Sequence, residues 1–364
     1  MRNIPVAKPD FDDQTKKELL GVLDSGWVGQ GPKVKEFEKA FAEHVGAKYA
    51  VATNSCTSAL DICLKVYDIE GGELITTPFT FVSDAIVGEW NGMDVTFSDI
   101  DPRTLCLDPN ALNVTEKTKA IIAVDSHGRL ADIQGIRAAC GSFKPLIIED
   151  AAHACYTPGA GQYADITVWS FQAVKSLPIF DGGMITTNDE EVYKKLKKLT
   201  WLGIEKSTYD RVGAKGYTWK YDITQANGIK GYMTDVQAVI GIGQLRRLDG
   251  MLARRREIQD KYNEAFKGKS WFQKPADSYT VQYYTPRWED RDGLCDFLAE
   301  NGISTSVHFQ PLSETTYWKK AVKGPLPGTE AWRFLLSLPV FYTLTGDEQD
   351  YIISKVISYY EDTR

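Results

Sequence analysis

The stretch PLIIEDAAHACYTPGAGQYADITVWSFQAVKS, residues Pro145–Ser176, decides the fold. Its first apolar run ends at the acid Asp150, and its second apolar run, Ile166–Phe171, is followed one helical turn later by Lys175. Short apolar runs of this kind indicate buried strands. Because ligands of open α/β sheets bind beyond the carboxyl ends of the strands, the sequence predicts Asp150 and Lys175 in one crevice.

A carboxylate and a lysine in one crevice have two interpretations. One is a salt bridge between a strand-end acid and a surface lysine. The other is a pyridoxal phosphate site, in which the lysine holds the cofactor aldehyde as a Schiff base and the acid keeps the ring nitrogen protonated. These two residues alone leave both interpretations open.

Strand signals recur along the first half of the chain, with helical patterns between several of them. The predicted strands are Tyr49–Thr53, Glu73–Thr77, Val95–Ile100, Ala120–Asp125, Pro145–Glu149, Ile166–Phe171 and Met184–Thr187. Repeated strand and helix units predict an α/β fold with a mainly parallel seven-stranded sheet, covered by helices on both faces.

The length of the chain predicts two domains. Its 364 residues exceed the size at which a single hydrophobic core usually stops growing. We place a large domain, with the N-terminal segment, at residues 1–245 and a smaller C-terminal α+β domain at residues 246–364. In the smaller domain, predicted strands at Val281–Trp288 and Ser304–His308 alternate with predicted helices.

Composition excludes several classes of protein. Hydrophobic residues make up 43% and charged residues 25% of the chain, which is typical of a globular enzyme. The formal net charge of −7 argues against a general nucleic-acid or anionic-membrane binder. Six cysteines without metal-like spacing predict reduced thiols and no metal site. Because there is neither a signal-peptide pattern nor an apolar run of membrane length, we expect a cytoplasmic protein.

Residues 55–58 begin a predicted helix directly after the strand Tyr49–Thr53. The free N–H groups, hydroxyl groups and positive dipole end of such a first turn suit an anion, most naturally a phosphate. An ordinary N-cap would use the same residue types. Phe81 follows the strand Glu73–Thr77. The sequence can therefore supply the four parts of a pyridoxal phosphate site: a phosphate cup, a stacking ring, an acid and a lysine.

A set of motifs runs in order along nearly the whole chain. They are SGWVGQGPKVKEFEKAF, NSCTSALDICL, TTPFTFVS, DIDPRTLCLDP, EDAAHA, WSFQAVK, DGGMITT, GYMTDVQAVIGIGQL and LSLPVF. In this ordered set the chain resembles the DegT/StrS type of sugar aminotransferase, a pyridoxal-phosphate-dependent family with the aspartate aminotransferase fold (fold type I). EDAAHA, NGIKGYMTD and GISTSVHF are most similar to the branch that aminates 4-keto nucleotide sugars.

The resemblance implies a role for each residue around the cofactor ring. Lys175 would be the catalytic residue, forming the Schiff base and moving the proton between the α-carbon and the cofactor. Asp150 would stabilise the protonated ring nitrogen. His153 would face the phenolic oxygen, and Phe81 would stack on the ring.

The resemblance also implies how the phosphate is held and how the protein assembles. Thr57, Ser58 and Ser170 would bind the phosphate within one subunit. Lys230 falls where family members present a polar residue from the neighbouring subunit. We therefore expect a homodimer with shared active sites.

For the substrates, the resemblance implies L-glutamate as amino donor and a nucleotide-linked keto sugar as acceptor. The sugar would be a 4-keto-6-deoxy-hexose or a 4-keto pentose, and the product would serve amino sugar and polysaccharide biosynthesis. Trp27 and His308 are candidate walls of the substrate pocket. The alternatives are a 3-keto nucleotide-sugar aminotransferase and, more distantly, a non-catalytic regulatory protein on the same fold.

The chain departs from the family pattern in three places. Asp125 stands where family members often have histidine, and Asp181 replaces the glutamate of the usual Glu-Gly-Gly. The aromatic residue near Lys230 is displaced to Tyr232. These departures concern the substrate pocket and leave the cofactor chemistry intact.

Overall fold

The seven strands predicted in the first half of the chain form one sheet. The computed structural model describes residues 3–212 and 219–361. The strands are β1 (Tyr49–Thr53), β2 (Glu73–Thr76), β3 (Asp94–Phe97), β4 (Thr118–Val124), β5 (Leu146–Asp150), β6 (Ile166–Ser170) and β7 (Gly183–Thr187). Their spatial order is β1-β7-β6-β5-β4-β2-β3. Within this sheet β7 runs opposite to the other six strands, which all point the same way, so the prediction of a mainly parallel sheet is confirmed.

The register of the central strands brings their carboxyl ends to one edge of the sheet. Val124, the last residue of β4, pairs with Asp150, the last residue of β5. Asp150 in turn pairs with Val168 of β6. A side chain that follows any of these strands therefore emerges at the same edge.

Helices connect the strands and cover the sheet. They are α1 (Asp13–Asp24), α2 (Pro32–Val45), α3 (Cys56–Val66), α4 (Ser83–Trp90), α5 (Ile133–Ala139), α6 (Glu190–Leu199), α7 (Thr208–Val212), α8 (Asp235–Phe266), α9 (Arg291–Glu300) and α10 (Gly346–Glu361). The local sequence determines where these helices begin and end. α2 begins at Pro32, whose missing N–H costs nothing there, and ends at Gly46 in the left-handed conformation. Thr234 and Gln237 form a capping box at the start of α8.

Side chains of the strands alternate between two buried faces. Val51 and Ile148 pack in the core that contains α3. Trp169 packs on the opposite face with Phe37 and Phe41 of α2. Truncating such a buried aromatic side chain to alanine costs about 3–5 kcal/mol of stability. The sheet is thus fixed from both sides, which holds its carboxyl edge in place.

A separate hydrophobic core lies in the C-terminal part of the chain. Trp271, Trp288 and Tyr360 stack within it, and the far end of α8 contributes Tyr262. A two-stranded antiparallel sheet, β8 (Phe272–Gln273) and β9 (Arg287–Trp288), is part of this region. α8 runs without interruption through residue 245, so the two parts share this helix.

The strands predicted at Val281–Trp288 and Ser304–His308 were wrong as regular strands. Only β9 and single bridges form there, including Tyr284 with Leu338. A side chain replaces part of the missing ladder: the guanidinium of Arg255 donates to the carbonyls of Val281, Gln282 and Val340.

The polar stretch Trp201–Gly228 contains the short helix α7, and its residues 213–218 lie outside the described residues. Among the helices of the described ranges, none combines the length and apolar character needed to cross a bilayer.

Candidate active site

Asp150 ends β5 with its carboxyl group buried at the carboxyl edge of the sheet. Its Oδ1 accepts a hydrogen bond from the amide of Ala152 at 2.9 Å. Burial raises the pKa of Asp150, while hydrogen bonds from Asp84 and Ala152 and the nearby charge of Lys175 lower it. These contacts fix the carboxyl group in one orientation.

Lys175 lies near the same edge of the sheet as Asp150, because a tight turn follows β6. The amide of Lys175 donates to the carbonyl of Gln172 at 2.8 Å. The side-chain oxygen of Gln172 accepts from the amide of Val174 at 3.0 Å. The short polar segment after Ser170 therefore satisfies its own backbone groups and directs Lys175 toward the sheet edge.

Gln282, from the C-terminal part of the chain, holds the residues on both sides of Lys175. Its Nε2 donates to the carbonyl of Val174 at 2.9 Å, and its Oε1 accepts from Ser176 Oγ at 2.8 Å. No ion pair joins Lys175 to Asp150, although both line one cavity. The salt-bridge interpretation of these two residues is thus wrong.

The start of α3 forms a turn beside these groups. Ser55 is the N-cap, and its Oγ accepts from the amide of Ser58 at 3.1 Å. The amides of Cys56 and Thr57 are first-turn donors, which a helix leaves without an intrahelical acceptor. Gly183 of β7 lies against this turn so closely that a Cβ would come within 2.7 Å of the backbone of Ser55 and Cys56. The N-cap interpretation is confirmed, and the cap leaves the amides of Cys56 and Thr57 available for an anion.

A cavity of about 400 Å³ joins these elements. The predicted site residues that line it are Thr57, Phe81, Asp150, His153, Ser170, Lys175 and His308. Phe81 is 60% exposed although its ring borders the cavity, so one face of an aromatic ring is open to a ligand.

Three predicted residues do not line this cavity. Ser58 lies one residue beyond its lining and uses its amide in the cap of α3. Lys230 is exposed, with its Nζ 5.8 Å from the ring centre of Trp201. Trp27 donates from its Nε1 to the carbonyl of Gln30 and packs edge-on against Tyr209 at 5.1 Å.

Two histidines of the cavity are held in their neutral form. Burial lowers the pKa of His153 well below its usual range, and the charge of Lys175 adds to this effect. Burial, with a further contribution from Lys175, lowers the pKa of His308 to about 3. The Nδ1 of His153 accepts from the amide of His127 at 3.4 Å, so its proton resides on Nε2. His153 is therefore a neutral donor.

The structure brings in residues that the sequence interpretation missed. Asp84 is fully buried against Asp150, and Phe309 and Tyr283 line the cavity. Tyr283 stacks on His308 with 3.6 Å between the ring centres. The sequence carried at most a weak signal for Asp84, because the helix dipole favours an acid in the first turn of α4 in any case. No comparable signal marked Tyr283, which lies in an irregular segment.

The residues of the cavity fit pyridoxal phosphate. Asp150 offers a fixed carboxyl group, and Lys175 offers an amine in the same cavity. Phe81 offers an open aromatic face. Ser170 and the first turn of α3 offer a hydroxyl and amide donors suited to a phosphate. Each part of the cofactor therefore has a chemically matched group.

Comparisons with known proteins indicate the family of this chain. The family model of the DegT/DnrJ/EryC1/StrS aminotransferases matches residues 9–357. The chain is 36% identical to the spore coat polysaccharide biosynthesis protein SpsC of Bacillus subtilis, over 97% of this chain and 96% of that protein.

Solved structures agree as well. A Streptococcus pneumoniae protein assigned as a sugar aminotransferase, in its PMP form, superposes with a TM-score of 0.90 at 30% identity over the whole of both chains. Its PLP form gives a TM-score of 0.88. Helicobacter pylori PseC, an aminotransferase of pseudoaminic acid biosynthesis, superposes with a TM-score of 0.89 at 25% identity over 99% of this chain and 100% of that one. The chain therefore belongs to the DegT/DnrJ/EryC1/StrS aminotransferase family and is a pyridoxal-phosphate-dependent enzyme.

Proposed function

We propose that this enzyme transfers an amino group from L-glutamate to a nucleotide-linked keto sugar, a 4-keto-6-deoxy-hexose or a 4-keto pentose. The observation that carries the proposal is the single cavity that Lys175, Asp150 and Phe81 share. The functions of two relatives support a sugar substrate. SpsC acts in spore coat polysaccharide biosynthesis, and PseC acts in the biosynthesis of pseudoaminic acid.

Lys175 is the proposed catalytic residue. Bound pyridoxal phosphate supplies an aldehyde and an electron-withdrawing ring that accepts electrons from the substrate carbon. Lys175 would hold the cofactor covalently and would then carry the proton between the two carbons that exchange the amino group. The hydrogen bonds of Gln282 on both sides of Lys175 keep this amine at the cavity.

Asp150 and His153 would orient the ring from its edge. Asp150 would face the ring nitrogen and favour its protonated state, because a carboxylate stabilises a neighbouring cation. The neutral His153 would donate from Nε2 to the phenolic oxygen of the cofactor. Phe81 would cover one face of the ring, since its own ring is open to the cavity.

The phosphate would lie at the start of α3. Thr57 and Ser170 both line the cavity and would donate their hydroxyl protons, and the first-turn amides of α3 would complete the cup. Ser58 would contribute through the dipole of the helix rather than through its amide, which donates to Ser55.

We further propose a homodimer in which Lys230 reaches the phosphate region of the neighbouring subunit. Lys230 is exposed and is not among the residues that line its own cavity, which suits a contact across an interface. Trp27, also outside the lining, would border the sugar nucleotide, and His308 would border the sugar from within the cavity. We also propose that the chain forms a large domain at residues 1–245 and a smaller domain at residues 246–364, and that the protein is cytoplasmic.

The test is a panel of keto nucleotide sugars mixed with the pyridoxamine form of the enzyme. A 4-keto sugar should restore the absorption of the pyridoxal form, whereas its 3-keto isomer should not. Restoration by the 3-keto sugar alone would favour the 3-aminotransferase alternative, and restoration by none of them would contradict a nucleotide-sugar substrate. Lys175→Ala is the matched control, because this variant should show no return with any sugar.

A further inference from the structure

A second carboxyl group, that of Asp84, lies buried beside Asp150. Asp84 belongs to the first turn of α4 and is 0% exposed. Its Oδ2 accepts a hydrogen bond from Thr80 Oγ1 at 2.5 Å. Its Oδ1 is also buried and has no donor in the described part of the chain. A buried carboxylate oxygen without a donor is costly, so the protonation state of Asp84 needs an explanation.

The missing donor is explained if Asp84 itself carries a proton. The carboxyl groups of Asp84 and Asp150 approach each other closely enough for a hydrogen bond between them. Two carboxylates both accept hydrogen bonds and donate none, so this contact requires a proton on one of them. Asp84 accepts only from Thr80, through Oδ2, and its Oδ1 has no donor in the described part of the chain. Asp150 accepts from the amide of Ala152 at 2.9 Å and from Cys56 Sγ at 4.0 Å, and it lines the cavity together with Lys175, so Asp150 is the better place for the negative charge. The proton therefore belongs on Asp84 Oδ1.

We infer that Asp84 is a neutral carboxylic acid that donates a hydrogen bond to Asp150, so that the pair presents a single negative charge to the ring nitrogen of the cofactor. The inference rests on the proposed placement of Asp150 at that nitrogen. Asp84 is then a positioning residue: it touches Asp150, and through Asp150 it sets how firmly the ring proton is held.

Burial and charge agree with this assignment. Burial raises the pKa of Asp84 well above its usual range, and the neighbouring charge of Asp150 raises it further. The pKa of Asp150 is also raised by burial, but the hydrogen bond from Asp84 lowers it again. Lys175 lowers the pKa of both acids. One proton between two adjacent acids is the arrangement that avoids two buried charges side by side.

A pair of substitutions separates the neutral acid from an ionised one. Asp84→Asn keeps the shape, donates an N–H where the neutral acid donates its O–H, and still accepts from Thr80. Asp84→Leu keeps the size but removes the donor. The probe is pyridoxal phosphate labelled with ¹⁵N, whose ring-nitrogen resonance reports protonation, together with the dissociation constant of the cofactor.

The inference predicts that Asp84→Asn keeps the resonance of the protonated ring and a dissociation constant within about threefold of the wild type. Asp84→Leu should move the resonance toward the unprotonated position, because Asp150 without its donor binds the proton more tightly. Its dissociation constant should rise about tenfold, the loss expected for one hydrogen bond to a charged group. If Asp84→Leu does not fold, Asp84→Ala serves in its place.

Two results would overturn the inference. A changed resonance in Asp84→Asn would show that Asp84 is ionised in the wild type, and an unchanged resonance in Asp84→Leu would show that it does not act on the ring. Asp150→Asn separates this failure from that of the proposed function. If Asp150→Asn leaves the resonance unchanged, the placement of the cofactor is wrong; if only Asp84→Leu leaves it unchanged, the role of Asp84 alone is wrong.

Discussion

The close contact between Gly183 and the start of α3 makes the phosphate cup sensitive to a single methyl group. Gly183 pairs with Thr53 of β1 and with Ser170 of β6, so its backbone position is set from both sides. A Cβ there would lie 2.7 Å from the backbone of Ser55 and Cys56, about 0.7 Å short of the 3.4 Å at which ordinary contact begins. Because the atoms it meets are backbone atoms, the turn itself must move.

We predict that Gly183→Ala weakens cofactor binding. Forcing extra volume into a packed site costs about 1–3 kcal/mol. If that strain displaces the cup, the dissociation constant of pyridoxal phosphate rises roughly 5- to 150-fold. The assay is titration of the cofactor-free protein with pyridoxal phosphate, followed by absorption, with urea unfolding of the same samples.

Gly250→Ala is the matched control. Gly250 lies in α8, where an added Cβ meets nothing within 4 Å, so alanine should leave cofactor affinity unchanged and stabilise the helix by about 0.5–1 kcal/mol. Wild-type affinity and stability in Gly183→Ala would refute the reasoning, because they would show that the contact is not tight.

Three further predictions follow from the site. Asp150→Asn should retain the cofactor but lose at least roughly 100-fold in turnover, and near-normal rates in a steady-state assay would remove Asp150 from its proposed role. Mixed dimers of Lys175→Ala and Lys230→Ala should regain about one quarter of wild-type activity, because half of the random dimers restore one intact site. No recovery after proven subunit exchange would count against a shared site. When the pH falls from 7.5 to 5, the free energy of unfolding of His308→Asn, measured with urea, should decrease by about 2 kcal/mol less than that of the wild type.

The sign of the pH effect follows from the burial of His308. The folded protein holds the pKa of this histidine at about 3, whereas its ordinary value is 6.5. Only the unfolded chain therefore takes up a proton between these values. The stability that His308 contributes is present above about pH 6.5 and is lost as the pH falls toward 3. Equal losses in the wild type and in His308→Asn would contradict the buried neutral state.

The sheet could be predicted from the sequence because its strands are short apolar runs with clear ends. The Tyr49–Thr53 strand matched the structure at both ends, and the other six were placed within a few residues. The rule that parallel strands carry ligands at their carboxyl ends then placed Asp150 and Lys175 together. The C-terminal strands could not be predicted in this way, because Arg255 hydrogen-bonds to carbonyls that a regular ladder would use.

The rest of the site depends on contacts between distant parts of the chain. Gln282 reaches the segment of Lys175 from more than a hundred residues away, and Tyr283 enters the cavity beside it. A role for Asp84 in the site can be inferred only when the structure shows that Asp150, at the end of β5, lies next to it. Local periodicity reports which face of an element is buried, but it carries no information about which distant side chain meets that face.

Covalent trapping of the cofactor tests the central claim most directly. The purified protein with bound pyridoxal phosphate is reduced with borohydride, digested, and mapped by mass spectrometry. The account predicts a single modified peptide with the cofactor on Lys175, and no modification in Lys175→Ala. A cofactor attached to another lysine, or full trapping in Lys175→Ala, would contradict the assignment of this cavity as the active site.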